Sequence, residues 1–529
     1  MMNLPTISRR ALVGLALALP AMTAPAMIAP AMIAPAMAQQ GEPVLRVVAP
    51  WEYASNDPAD IGYILTRLGV AETLVQVEPE GQLVGGIAES WSVSEDKLSW
   101  RFKLRAGLSF HDGNPVTAQA VAASLKQSFI GESLSAVPLD SVSLDGADVV
   151  IRTRTPFSVL PAFLCDYASI VLAPSAYGTD GKVIKIVATG PYKLASIDGK
   201  TWIDNKTTLE LDRFEGYART RPAIARLRYT AVVNGDTRAN IAIAGDADLV
   251  YTLSPTATPR INAAGQMKVE SLTIPRVRAL FFDSGLPQFS DLRVRRAIAM
   301  AVDRDGIAKA ILRHPGSSAS QLLPPIMTGW HRQGLPAIAH DPAAARKLLD
   351  DAGWIAAGDG IRVKDGVRLA AKLLTLVNRP ELPVMASAIQ AQLRGIGMEV
   401  AIEVGPGNSV PAAIKDGTMQ FTLVSRTYVN VPEPIATIIP DFTRERSVWG
   451  TARWDGRDRV KALTDAYLAS FDDARKDELR GQIIALLHDQ MPVVPVSWTE
   501  HSVAVSGRIK NVAIDPYEMR YLVERMAWK

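Results

Sequence analysis

From Leu369 to Val404 the chain reads strand, helix, strand, the unit from which parallel sheets are built. Two parallel neighbours need a crossover, and the crossover helix must cover a face of the sheet. That one segment commits the chain to an α/β architecture. Other stretches demand antiparallel pairing. In Leu98 to Leu104 the apolar residues Leu98, Trp100, Phe102 and Leu104 alternate with Ser99, Arg101 and Lys103, which puts one face in a core and the other in water. A second strand pair is expected over Ser141 to Arg154, turning at Asp145-Gly146.

Helices are expected where apolar residues recur at helical spacing. Ile61, Ile64, Leu65 and Leu68 mark one over about 61–73, and Thr117 is a suitable N-cap for another running to Phe129. Asp291, Asp303 and Asp341 each precede a further helix. Short strands are expected at Val44 to Val48, Ala247 to Tyr251, Phe421 to Val424 and Val493 to Val505. At 529 residues the chain exceeds the roughly 250–300 at which one core stops growing, so at least two lobes are expected.

Residues 1–38 read as a cleavable export signal. Ser8-Arg9-Arg10 opens it, Ala11 to Leu19 is its apolar region, and Ala36-Met37-Ala38 is a small-x-small cleavage site. Arg9-Arg10 with Leu12 resembles a twin-arginine signal, although Gly14 stands where a lysine is usual, which leaves the Sec route open. Prolines 20, 25, 30 and 35 interrupt any helix long enough to span a bilayer, so no stable membrane insertion is expected. Without the leader, 55 basic residues stand against 54 acidic ones, a balance that gives no reason to expect nucleic acid as a partner. Cys165 is the single cysteine and is expected to be a buried free thiol. The six histidines show no metal-ligand spacing, and no nucleophile elbow, Walker A or dinucleotide motif is present. Neither a cofactor nor an enzymatic activity is expected.

Four blocks carry a family resemblance. The strongest runs from Glu89-Ser-Trp through Trp100-Arg-Phe-Lys-Leu-Arg105 to Phe110-His-Asp-Gly-Asn-Pro-Val-Thr117. Thr189-Gly-Pro-Tyr-Lys-Leu194, Phe289 to Arg304 and Asp341 to Trp354 follow in order. Together they resemble extracellular solute-binding protein family 5, the dipeptide-, oligopeptide- and nickel-binding proteins of ABC importers. The resemblance implies a two-lobed periplasmic-binding-protein clamp of the large class. A first lobe over 39–277, with an extra subdomain at about 80–187, would be completed by a return of residues 491–529. The second lobe would span 278–490, and a ligand would sit between the two.

Within that family, the segment Ser425 to Pro434 corresponds to a loop facing the cleft. Dipeptide binders carry a carboxylate there for the ligand's ammonium group; the matching residue is Asn430, with Glu433 as a nearby substitute. Nickel binders begin the loop Arg-Thr-Trp, and this chain has Arg426-Thr427-Tyr428, while Tyr167 matches the position of their carboxylate-gripping arginine. The expected ligand contacts are therefore Tyr63, Arg67, Tyr167, Arg426, Tyr428 and Asn430, with aromatics for stacking and guanidinium groups for carboxylates. The expected function is capture of a short peptide or a metal chelate in the periplasm and its delivery to permease subunits. A ligand sensor feeding a membrane receptor is the alternative. A monomer is expected, because one chain forms the whole cleft.

Overall fold

Side-chain caps fix where the helices begin. Thr117 Oγ1 accepts from the Ala120 N–H at 3.2 Å, Asp291 Oδ1 from Arg293 at 2.8 Å, and Asp341 Oδ1 from both Ala343 and Ala344. Asp303 likewise caps Gly306, but the helix beyond it is a single turn that widens into a π-turn over Ile307–Ile311. These features come from a computed structural model that describes residues 42–130, 134–199, 207–377, 379–447 and 449–529. The expected export signal at 1–38 lies outside the described residues. No described helix is long and apolar enough to cross a membrane.

One ten-stranded sheet organises the molecule. Its strands, in chain order, are β1 (Val44–Ala49), β2 (Tyr192–Asp198), β3 (Thr208–Arg213), β4 (Arg226–Ala231), β5 (Leu249–Tyr251), β6 (Met267–Phe282), β7 (Ala370–Leu376), β8 (Glu399–Gly405), β9 (Phe421–Thr427) and β10 (Val493–Ser506). They lie in the order β8-β7-β9-β6-β10-β5-β1-β4-β3-β2. The expected parallel unit is present: β7 pairs with β8 in parallel, joined by the helix Glu381–Arg394.

The centre of the sheet is the long antiparallel pair β6–β10, and this pair makes the molecule a two-lobed clamp. On one side β9 adds to Arg276–Phe282 of β6; on the other β5 adds to Val503–Val505 of β10. Between those regions the ladder breaks. Ile274 pairs with Thr499 and Val277 with Trp498, so Pro275 and Arg276 are extra residues with no opposite number on β10. A proline has no N–H for a ladder bond, and such an insertion bends the strand. We take this break as the hinge, with 277/278 and 490/491 as the proposed lobe limits.

A separate four-stranded antiparallel sheet, in the order Ala88–Val93, Ser99–Leu104, Asp148–Thr153 and Leu139–Asp145, occupies the extra-subdomain region. Trp100 and Phe102 face inward and Arg101 and Lys103 outward, as the alternation requires. Five helices complete the parts needed below: α1 (Pro58–Arg67), α2 (Glu381–Arg394), α3 (Ile435–Phe442), α4 (Arg457–Ala469) and α5 (Asp473–Gln490). Helix α1 is shorter than the expected 61–73 because Gly69, at φ +66°, turns the chain out of the helix. Away from the crossing strands the lobes touch again: the Ser158 N–H donates to the Leu468 carbonyl at 2.7 Å, and Trp100 packs against Phe471.

Candidate functional site

At the break in β6–β10 lies a cavity of about 300 Å³. Trp51, Arg238 and Thr252 wall it on the first-lobe side, and His314, Arg379 and Glu381 on the second. Arg276, Arg278, Trp498 and His501 from the crossing strands form its floor, and Glu518 reaches in from the C-terminal segment. Arg379 and Glu381 stand where the carboxyl end of parallel strand β7 leads into α2. Open α/β sheets form their ligand crevices at such strand ends.

Charge is concentrated here. Arg276 Nη2 donates to Glu518 Oε2 at 2.7 Å, and Arg278 donates to Glu381 Oε1 through Nη2 at 2.9 Å and Nε at 3.1 Å. Across the cavity His314 Nε2 meets Glu500 Oε1 at 2.9 Å. Burial alone would raise the Glu518 carboxyl, but Arg276, His501, Arg67 and Arg379 hold it at about 2. Among the described residues, no three His, Cys, Asp or Glu side chains are grouped to hold a bare metal ion.

Four of the six expected contacts come together beside this cavity. Tyr63, Arg67, Tyr167 and Asn430 line a narrow pass of about 60 Å³ that shares Arg276 and Glu518 with the cavity. Arg67 lies 5.2 Å from the ring centroids of both Trp51 and Tyr63, and its Nε donates to the Glu518 carbonyl at 2.7 Å. Tyr63 meets Tyr167 edge-on at 5.7 Å. On its other side the pass shares Thr66, Cys165 and Met519 with the lining of a separate chamber of about 560 Å³ in the first lobe. The chamber's charges are paired: Glu72 takes Arg219, Glu78 takes Arg520 and Arg525, and Arg221 takes Glu215 from outside the lining. Cys165 is a buried thiol pushed well above its ordinary pKa by burial.

Arg426 and Tyr428 are corrected by the structure. Strand β9 continues through Thr427, beyond the expected end at Val424, so the supposed loop starts as strand. Side chains along a strand alternate between its faces. Thr427 and Val429 therefore line the pass, while Arg426 and Tyr428 turn away from it. Arg426 gives Nε and Nη2 to the two carboxylate oxygens of buried Asp441 on α3, at 2.8 and 2.9 Å. Tyr428 has no exposed surface. Glu433 is also removed from the cleft: it accepts from the Tyr467 hydroxyl at 2.9 Å, and burial raises its pKa despite Lys476 nearby.

Sequence reasoning missed Trp51, Arg276, Arg278 and Arg379. A usable signal was present in Thr273-Ile-Pro-Arg-Val-Arg-Ala-Leu-Phe-Phe282, where two arginines interrupt an otherwise apolar strand at its proline. Buried charges in such a strand need partners, and partners gather at sites.

The comparisons with known proteins agree with this architecture. The nickel-binding periplasmic protein of Escherichia coli (strain K12) is 24% identical over 512 residues, covering 89% of this chain and 94% of its own length. The dipeptide-binding protein of the same organism is 24% identical over 469 residues, covering 82% and 84%. NikA from Brucella suis, solved in complex with Fe(III)-EDTA, superposes with a TM-score of 0.82 at 24% identity over 92% of this chain and all of its own. The model of bacterial extracellular solute-binding proteins, family 5, matches residues 82–446. With more than half of its length matched, the chain belongs to the bacterial extracellular solute-binding proteins of family 5.

Proposed function

We propose that the protein is the periplasmic solute-binding component of an ABC importer, acting as a monomer that captures a small solute bearing carboxylate groups. The observation that carries this reading is the cavity at the break in β6–β10, walled by residues of both lobes. A solute touching Trp51 on one wall and Arg379 on the other favours the closed clamp by its differential contacts. The closed form is then what permease subunits receive. Relatives named for nickel and for dipeptides leave two ligand classes, a metal chelate and a short peptide.

The site chemistry favours the chelate. A dipeptide's ammonium group needs a free carboxylate, yet Glu381, Glu500 and Glu518 each have a cationic or imidazole partner. Glu433 is buried elsewhere. Native mass spectrometry of protein purified from its own periplasm, before and after denaturation, tests the reading. A released organic chelator with a metal is the expected result. Small-angle scattering with and without the released solute then reports closure, and a clamp that closes on no small solute overturns the function.

A further inference from the structure

The chamber of about 560 Å³ lies outside the cleft. It is built by the hairpin of Val75–Val77 and Leu83–Gly85, by residues 217–223 between β3 and β4, and by the C-terminal stretch 519–527. None of its lining comes from the proposed second lobe at 278–490. Thr220, Arg221, Ala223 and Asn511 are both exposed and part of the lining, so the chamber meets solvent on the first lobe itself. Its volume falls in the range of about 300–1,000 Å³ usual for small-molecule sites. An occupant therefore enters and leaves without any movement of the clamp.

Three glutamates and four arginines line the chamber, and Glu215 outside it takes Arg221, which leaves the charges in balance. A lone ion of either sign is then a poor occupant, because its charge stays uncompensated on burial. The hydrogen bonds, however, are unevenly spent. Glu72 accepts from the Tyr217 hydroxyl and from Arg219, and Glu78 accepts from Arg520 and Arg525. Glu524 accepts from no described residue: its nearest cationic atoms, Arg525 Nε and Arg520 Nη1, stand at 3.9 and 4.0 Å. Arg219 gives Nε to the Tyr217 hydroxyl and Nη2 to Glu72, and its Nη1 has no described acceptor. Burial and Arg520 lower the Arg219 pKa while Glu524 opposes them, which sets these three charges around one space. A spare carboxylate and a spare guanidinium edge thus share the chamber. Val77, Val84, Met519 and Met526 supply an apolar wall beside them, the methionines able to adapt to an irregular shape.

We propose that this chamber is a second solute site, separate from the cleft, that takes an apolar amino acid with its ammonium group on Glu524, its carboxylate on Arg219 and its aliphatic side chain against Val77, Val84 and the two methionines. A zwitterion preserves the balance of charge, and each half of its head group gains a charge-assisted bond. The site goes beyond capture in the cleft and does not depend on it. Every contact belongs to one lobe, so binding here leaves the clamp as open or closed as before.

Isothermal titration of the wild type, Glu524→Gln and Ala223→Trp tests the proposal. The probes are leucine, isocaproate, which lacks the amine, and isoamylamine, which lacks the carboxylate. Leucine is expected to bind the wild type more tightly than either analogue. Its affinity should fall about ten- to a hundredfold in Glu524→Gln, whereas that of isocaproate should not fall. Ala223→Trp places a large side chain in the exposed part of the lining and should abolish leucine binding. Melting temperatures of the solute-free variants within a few degrees of wild type show that the fold is intact. Small-angle scattering should give the same radius of gyration with and without leucine. Leucine that does not bind, that binds the wild type and both variants alike, or that closes the clamp overturns the chamber site and leaves capture in the cleft standing. A clamp that closes on no solute removes capture, while the loss of leucine binding in both variants still upholds the chamber site.

Discussion

Asp441 has no exposed side-chain surface and gives both carboxylate oxygens to Arg426. Removing one partner of such a pair leaves the other charge buried and uncompensated, which costs about 3–5 kcal/mol. Asp441→Ala should therefore lower unfolding free energy by that amount in chemical denaturation. Solute affinity should stay within about twofold, because the pair lies on the face of β9 away from the pass. Glu518 gives the opposite kind of residue, a carboxylate held at about 2 against an ordinary 4.5. Its contribution to stability, on the order of 3 kcal/mol, is complete above the unfolded pKa and disappears as pH falls from about 5 toward 2. Denaturation midpoints measured between pH 6 and pH 2 should fall more steeply for the wild type than for Glu518→Gln. Parallel curves would show that Glu518 is not held by its arginines.

Elements were legible where periodicity or a cap defines them. Thr117, Asp291 and Asp341 begin helices, and the alternation from Leu98 to Leu104 lies as expected in the four-stranded sheet. The end of β9 was not legible, because Ser425-Arg-Thr-Tyr carries no alternation of apolar and polar residues. Close packing between elements is also hidden in sequence. A Cβ at Gly62 on α1 would lie 2.6 Å from the Tyr167 carbonyl oxygen, so the glycine is what lets α1 sit against the turn that places Tyr63 beside Tyr167. Two effects compete in Gly62→Ala. Helix propensity favours alanine by about 1 kcal/mol, whereas a contact with backbone forces a shift costing about 1–3 kcal/mol. The clash should win, and thermal unfolding should show a lower midpoint; a higher one would mean that α1 moves freely.

At the scale of the whole molecule, the clamp was readable and its binding chemistry was not. Family blocks are local runs, each read along the chain. The cavity draws on residues near 51, 276, 314, 379, 500 and 518, which only the crossing strands bring together. Remote from the cavity the two proposed lobes also touch, where Trp100 packs on Phe471 at 5.9 Å between ring centroids and Ser158 bonds Leu468. Phe471→Ala should loosen the closed form without touching the solute, weakening affinity about three- to tenfold and enlarging the radius of gyration of the solute-bound protein. Unchanged affinity and scattering would show that this contact follows closure and does not stabilise it.

The shared strands have one more consequence. With the proposed lobe limits, the chain enters the second lobe on β6 and leaves it on β10, and Arg278 lies opposite Ser497 in the ladder. The second lobe therefore starts and finishes at neighbouring points, like a cassette set into a hairpin of the first. A circular permutant opened on the outer surface of that cassette, with the native termini tied by a linker, would keep every strand pairing intact. The clamp's connectivity can thus be rerouted through one lobe while the cleft keeps its walls.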